Sequence, residues 1–311
     1  MGYSSRYSLV TGGGELTGAT GAPLVIGVVT DTQDMIAASL TDAYNAEFTW
    51  LNSRCDLILH TGDVVDDGDV EAQWTRAAAG RDLISADLPA LWAIGNHDYD
   101  DNVSGADRPV TYWNTFVPQS WYTGKSWWGG GFYEASHSEN LYFLFTDRAD
   151  RDWIVLVLEY GPRAAVVAWA DGLLTTHAAR RAIILTHGYM YNDDTRLGAG
   201  DDYNPNDAAI GADAADGDEL WTTLVDIHAN VRVVFSGHIL GDGTGKLVSA
   251  TGEGNDVAQF LMNQQILPDA DQGYVRLIGV YSDRVQSRSY KPYTNRFIAS
   301  PDHQFRVDLT I

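Results

Sequence analysis

From residue 24 to residue 235, short apolar runs alternate with stretches of helical spacing, a rhythm that commits the chain to an α/β fold. The runs cover 24–29, 57–60, 90–94, 141–145, 154–158, 182–185 and 231–235; the helical patterns cover 35–51, 72–83, 164–179 and 219–229. After Gly241 the rhythm stops. Strands at 257–262, 274–281, 285–290 and 304–309 then follow one another across Gly, Asp and Pro turns, which predicts a β-meander over 245–311. Residues 1–22 are too rich in Gly, Ser and Thr to pack alone and read as an arm ahead of one domain over 23–311.

Five of the apolar runs are followed by side chains able to bind metal: Asp31, Asp63, Asn96 with His97, His187 and His238. In an open α/β sheet the strand C-termini share one edge, so such residues meet without any loop having to travel. Singly, each has a plainer reading. Asp31 could cap the helix that follows, Gly62-Asp63 and Gly95-Asn96 could be turns, and His187 could be a core histidine. Their recurrence at successive strand ends favours a metal centre. Carboxylate, amide and imidazole together suit manganese, iron or zinc better than magnesium or calcium.

Composition narrows the partners. Asp and Glu total 42 against 20 Lys and Arg, a net charge of −22 that opposes general nucleic-acid binding and anionic membrane surfaces. The excess lies in Asp rather than Glu, which suits a salty environment. A single cysteine, Cys55, excludes an intrachain disulfide and thiolate metal sites. No run is long enough to span a bilayer, and residues 1–10 lack the profile of a signal peptide, so a soluble chain is expected, extracellular or periplasmic if a leader precedes it.

Read in order, Asp31-Thr32-Gln33, Gly62-Asp63-Val64-Val65-Asp66, Gly95-Asn96-His97-Asp98, Thr186-His187 and Gly237-His238 resemble the motifs of the calcineurin-like metallophosphoesterases. The resemblance runs from residue 23 to about 240. It implies a four-layer α/β/β/α sandwich with a metal centre at one edge, and hydrolysis of phosphate esters by metal-activated water. In this reading Asp63 bridges two metals, Asn96, His187 and His238 complete one shell, and Asp31 serves the other. His97 protonates the leaving oxygen, with Asp98 beside it in the catalytic motif.

Two positions depart from the family pattern. Gln33 stands where D-x-H has histidine, and Leu240 where G-H-x-H has its second histidine. The metal served by Asp31 keeps only carboxylates and the Gln33 carbonyl, so one firmly held ion is expected and a second weak or absent one. Asp-Thr-Gln, together with Asn263-Gln264-Gln265 near the end, is similar to a bacterial branch of the family. Arg196 is the candidate for gripping a phosphate oxygen, with an ion pair to Asp193 or Asp194 as the alternative. The aromatic loop of Trp121, Tyr122, Trp127 and Trp128 reads as core, with sugar stacking the alternative. His60 reads as a core or supporting residue. The substrate expected is a small-molecule or sugar-linked phosphate ester. The competing expectations are a metal- or carbohydrate-binding module without turnover, and a hydrolase of a related ester such as a sulfate.

Overall fold

The computed structural model describes residues 21–101, 108–207, 213–265, 267 and 272–309. Most of the 1–22 arm lies outside them. In chain order the strands are β1 Leu24–Val29, β2 Leu57–His60, β3 Ala90–Trp92, β4 Gly130–Phe132, β5 Leu141–Thr146, β6 Asp152–Val157, β7 Arg181–Leu185, β8 Val231–Ser236, β9 Thr244–Ala250, β10 Asp256–Met262, β11 Val275–Val280, β12 Arg284–Lys291, β13 Arg296–Ile298 and β14 Phe305–Asp308. The helices are α1 Gln33–Ala37, α2 Thr41–Leu51, α3 Glu71–Arg81, α4 Thr111–Phe116, α5 Gln119–Thr123, α6 Ala164–Thr176 and α7 Gly217–Leu220.

The strands form two seven-stranded sheets. The first has the order β13-β12-β11-β1-β2-β3, with β14 also on β12; the second runs β4-β5-β6-β7-β8-β10-β9. In the first, β1, β2 and β3 are mutually parallel. In the second, β6, β7, β8 and β10 are. The strands after Gly241 are divided between the sheets, because β9 and β10 extend the second while β11 to β14 extend the first.

Strand periodicity sorts the core into layers. Along β6, Trp153, Val155 and Val157 join the cluster that includes first-sheet residues such as Leu57, Leu91 and Ile278, while Ile154 and Leu156 join a separate cluster with Val166, Ala170 and Leu174 of α6. Both faces of β6 are therefore covered, as a run of continuous apolar residues requires. Helices α1, α2 and α3 supply Met35, Ile36, Phe48 and Trp74 to the first cluster. The mixed α/β architecture with two multi-stranded sheets is the one the motifs imply.

The helical pattern at 35–51 is two helices, not one: Ser39 adopts φ 59°, a left-handed conformation that breaks the first before Thr41 begins the second. Helices α4 and α5 and strands β4 and β13 carry too little periodicity to stand out in the sequence. The aromatic loop is packed inward, Trp127 against Phe143 at 5.4 Å and Trp128 against Phe132 at 5.1 Å between ring centroids.

Candidate metal centre

The C-terminal ends of the parallel strands from the two sheets meet, and backbone and side-chain hydrogen bonds knit them together. Asp31 follows β1, and its N–H donates to the Gly62 carbonyl at 3.1 Å; Thr32 and Gln33 donate to the Asp63 carbonyl. Between the sheets, the Nδ1 of His187 lies 2.9 Å from the Thr61 carbonyl, and the His238 N–H donates to Asp31 Oδ1 at 2.9 Å. Thr30 Oγ1 bridges to Thr61 Oγ1 at 2.6 Å and to the Met262 carbonyl at the end of β10.

At this junction Asp63, His187 and His238 offer ligand atoms that all lie within 4.8 Å of one another. His187 Nε2 is 3.1 Å from Asp63 Oδ2 and 3.2 Å from Asn96 Oδ1. A ring whose Nδ1–H is held by a carbonyl presents a lone pair at Nε2, so three acceptors converge there. Only a proton or a cation relieves that arrangement. Burial pushes the His187 ring down, but the Asp63 carboxylate and its hydrogen bond outweigh it and hold the ring up at about 9. Burial likewise raises the Asp63 carboxyl, yet His187 foremost and His97 behind it draw it well below the usual range. His238 is set in the complementary way: its Nε2–H meets the Tyr203 carbonyl at 2.8 Å, with the Tyr160 hydroxyl 3.1 Å away, which frees Nδ1. One carboxylate, two oriented imidazoles and an amide oxygen fit a borderline divalent cation.

The local backbone is specialised for this convergence. Asp31, Asp63 and His238 all have left-handed φ values, 42°, 51° and 77°, which side chains other than glycine rarely adopt. At Gly95 a Cβ would stand 2.1 Å from Asp63 Oδ1 and 2.3 Å from Asp63 N, so only glycine lets the two loops approach.

The structure places the remaining sequence candidates as follows. Asp31 does not cap a helix. Its buried carboxylate accepts from His238 N–H, from Asn263 Nδ2 at 3.1 Å and from Thr30 Oγ1, and burial is the chief cause that raises it to about 7. Gln33 is buried, its Nε2 donating to Asp63 Oδ2 at 2.9 Å while its Oε1 has no partner. His97 donates its backbone N–H to Asp63 Oδ1 at 3.0 Å, and its Nδ1 lies 2.8 Å from the Asp66 carbonyl; the Asp63 charge holds the ring above its ordinary value. Asp98 is fully buried and accepts the N–H groups of Val64, Val65 and Gly95 at 2.8, 3.1 and 2.8 Å, so its carboxylate braces the two ligand loops against each other. Burial and then the Asp63 charge raise it to about 7.

Arg196 is engaged elsewhere. Its guanidinium donates to Gln259 Oε1 and Ser249 Oγ and stacks 3.7 Å from the Trp221 ring centroid. Leu240 is partly exposed. His60 is buried, stacked on Trp92 at 4.6 Å, with Nδ1 accepting the Gly62 N–H.

Three supporting residues were not assigned a role from sequence. Asn263 donates to both Asp31 and the His238 carbonyl, Tyr160 abuts His187 and His238, and Tyr203 holds His238 through its carbonyl. Tyr160 and Asn263 lie just past the ends of β6 and β10, so extending the strand-end rule to every parallel strand finds them. Tyr203 lies on a long loop and has no such signal.

Comparison with known proteins bears on the fold and the family. A chain of a dimetal phosphatase from Danio rerio is 13% identical, with 87% of this chain and 97% of that one covered at a TM-score of 0.55. A purple acid phosphatase from yellow lupin seeds is 14% identical, with 93% and 54% covered at 0.51. Both likenesses concern the fold. YvnB, an uncharacterised protein of Bacillus subtilis, is 24% identical over a 283-residue alignment; the match covers 85% of this chain but only 20% of YvnB, so the chain spans about a fifth of that relative. Among the described residues no helix is long and apolar enough to cross a membrane. The profile of the calcineurin-like phosphoesterases matches residues 24–242, well over half the chain and inclusive of every residue of the cluster, and the chain belongs to that family.

Proposed function

We propose that this chain is a metal-dependent phosphoester hydrolase whose principal cation is held by Asp63, Asn96, His187 and His238. The observation that carries the reading is the meeting of His187 Nε2, Asp63 Oδ2 and Asn96 Oδ1 beside a second oriented ring, His238, a donor set that suits a divalent cation. A divalent cation, manganese, iron or zinc, supplies Lewis acidity toward the phosphate oxygens and activates water. The chain's own residues do the rest. Asp98 keeps the loops of Asp63 and Asn96 in register, the Asp66 carbonyl orients the His97 ring through Nδ1, and His97 Nε2 delivers a proton to the leaving oxygen.

One firmly held ion accounts for the donors best. A second position would draw on Asp31 and Gln33, but Leu240 offers no donor and the Asp31 carboxylate already accepts from three groups of the protein. The substrate is a small-molecule or sugar-linked phosphate ester, since the acidic surface disfavours polyphosphates and nucleic acid. Turnover of 4-nitrophenyl phosphate and bis(4-nitrophenyl) phosphate by the manganese-loaded protein tests this. Asn96→Ala and His97→Ala should each abolish it while the fold survives; undiminished turnover in both variants refutes the assignment. Tight manganese binding with no turnover of any phosphate or sulfate ester identifies a silent metal-binding module instead.

A further inference from the structure

Tyr203 combines an anchored backbone with a free ring. Its carbonyl accepts from His238 Nε2 at 2.8 Å and from the Tyr160 hydroxyl at 3.3 Å. Its neighbour Asn204 is buried and pinned to the Gly198 carbonyl at 2.7 Å and to Asp216 Oδ2 at 3.0 Å, and Asp216 in turn forms a reciprocal cap with Glu219 at the start of α7. The residue is 62% exposed, and its ring stands edge-on to His238, 6.3 Å between centroids at 84°. Tyr203 also adopts φ 66°, a conformation that costs a tyrosine and that asparagine or glycine occupies readily. The carbonyl contact needs only a backbone, so support of His238 does not account for an aromatic side chain here.

We propose that the Tyr203 ring is the wall of the leaving-group subsite: it stacks on a ring-bearing alcohol, aryl or pyranosyl, of the ester whose phosphate lies at the cation. This rests on the phosphoester reading above and adds the substrate class. Leu240, two residues past His238 in sequence, is an exposed apolar side chain as well. The site thereby discriminates by ring contact and not through Arg196, whose guanidinium is taken up by Gln259, Ser249 and Trp221.

Phenylphosphonate and methylphosphonate differ only in the ring and do not turn over, so calorimetric titration of each into the manganese-loaded protein isolates the contact. The ratio of their two dissociation constants cancels any common effect of a substitution on the cation. The wild-type protein should bind the phenyl compound roughly tenfold more tightly. Tyr203→Asn, which suits the left-handed backbone and keeps the carbonyl, should bring the ratio close to one, and Tyr203→Trp should preserve it. A wild-type ratio near one, or a preference that survives in Tyr203→Asn, overturns the role of Tyr203 and leaves the phosphoester reading standing. If neither phosphonate binds the loaded protein, the phosphoester reading falls and the leaving-group subsite with it.

Discussion

Thr61 follows β2 and His187 follows β7, strands of different sheets, and the imidazole Nδ1 of His187 meets the backbone carbonyl of Thr61 at 2.9 Å. That bond fixes the ring so that Nε2 faces Asp63 and Asn96, making the metal centre and the junction between the sheets one structure. His187→Ala should therefore weaken manganese binding by at least about a hundredfold. It should also lower the stability of the chelator-treated protein by about 1–3 kcal/mol, because the buried Thr61 carbonyl loses its partner. Titration calorimetry and denaturant unfolding in chelator measure the two effects separately; an affinity loss with no change in metal-free stability would show that the sheets do not depend on this bond.

Asp98 holds three backbone N–H groups with two oxygens. In Asp98→Asn one oxygen must become an NH2 that faces a donor, so a destabilisation of about 1–3 kcal/mol is expected, together with weaker manganese binding. Thermal unfolding with and without manganese checks this, and an unchanged Tm in both conditions contradicts it.

Gly95 and Gly172 should respond oppositely to alanine. At Gly95 the added methyl would meet Asp63 Oδ1 at 2.1 Å, so Gly95→Ala should displace the carboxylate and cost tenfold or more, by rough estimate, in metal affinity. Gly172 lies exposed within α6 with nothing within 4 Å of a Cβ, and Gly172→Ala should raise stability by about 1 kcal/mol. Equal effects of the two substitutions on metal affinity would argue against close approach at Gly95 as the reason for glycine.

Glu47 in α2 is fully buried, and burial, only partly offset by Gln264, holds its carboxyl well above its ordinary value. The folded chain therefore binds a proton that the unfolded chain releases. The contribution of Glu47 is fully present below the ordinary carboxyl range and is lost as pH rises toward the folded value, by about 1.4 kcal/mol per pH unit. Glu47→Gln, which cannot ionise, should raise Tm more at pH 8 than at pH 5. A constant difference between the two pH values would show that Glu47 is not held neutral.

Much of the fold was legible because buried parallel strands leave continuous apolar runs; 24–29 and 57–60 are the bounds of β1 and β2. The candidate ligands Asp31, Asp63, Asn96, His187 and His238 follow from the strand-end rule, since each lies two or three residues beyond a run. What escaped depends on three-dimensional partners. Ser39 breaks a helix through a backbone angle, and Asp98 was placed beside His97 in the motif, whereas its bonds make it a brace. For Arg196 the sequence offers only a phosphate or the nearby Asp193 and Asp194 as partners, because Gln259, Ser249 and Trp221 are distant along the chain. Tyr203 meets His238 through its backbone carbonyl, a group that every residue possesses and no motif records.

In the proposed centre, residues that follow strands of both sheets capture one cation at a single point. Crystals grown without chelator, supplied with manganese and measured at its absorption edge test it most directly. One strong anomalous peak within bonding distance of Asp63, Asn96, His187 and His238 is the predicted result, with a weaker peak or none beside Asp31. An empty map at that junction, or a peak that lies only among the surface aspartates, would contradict the account.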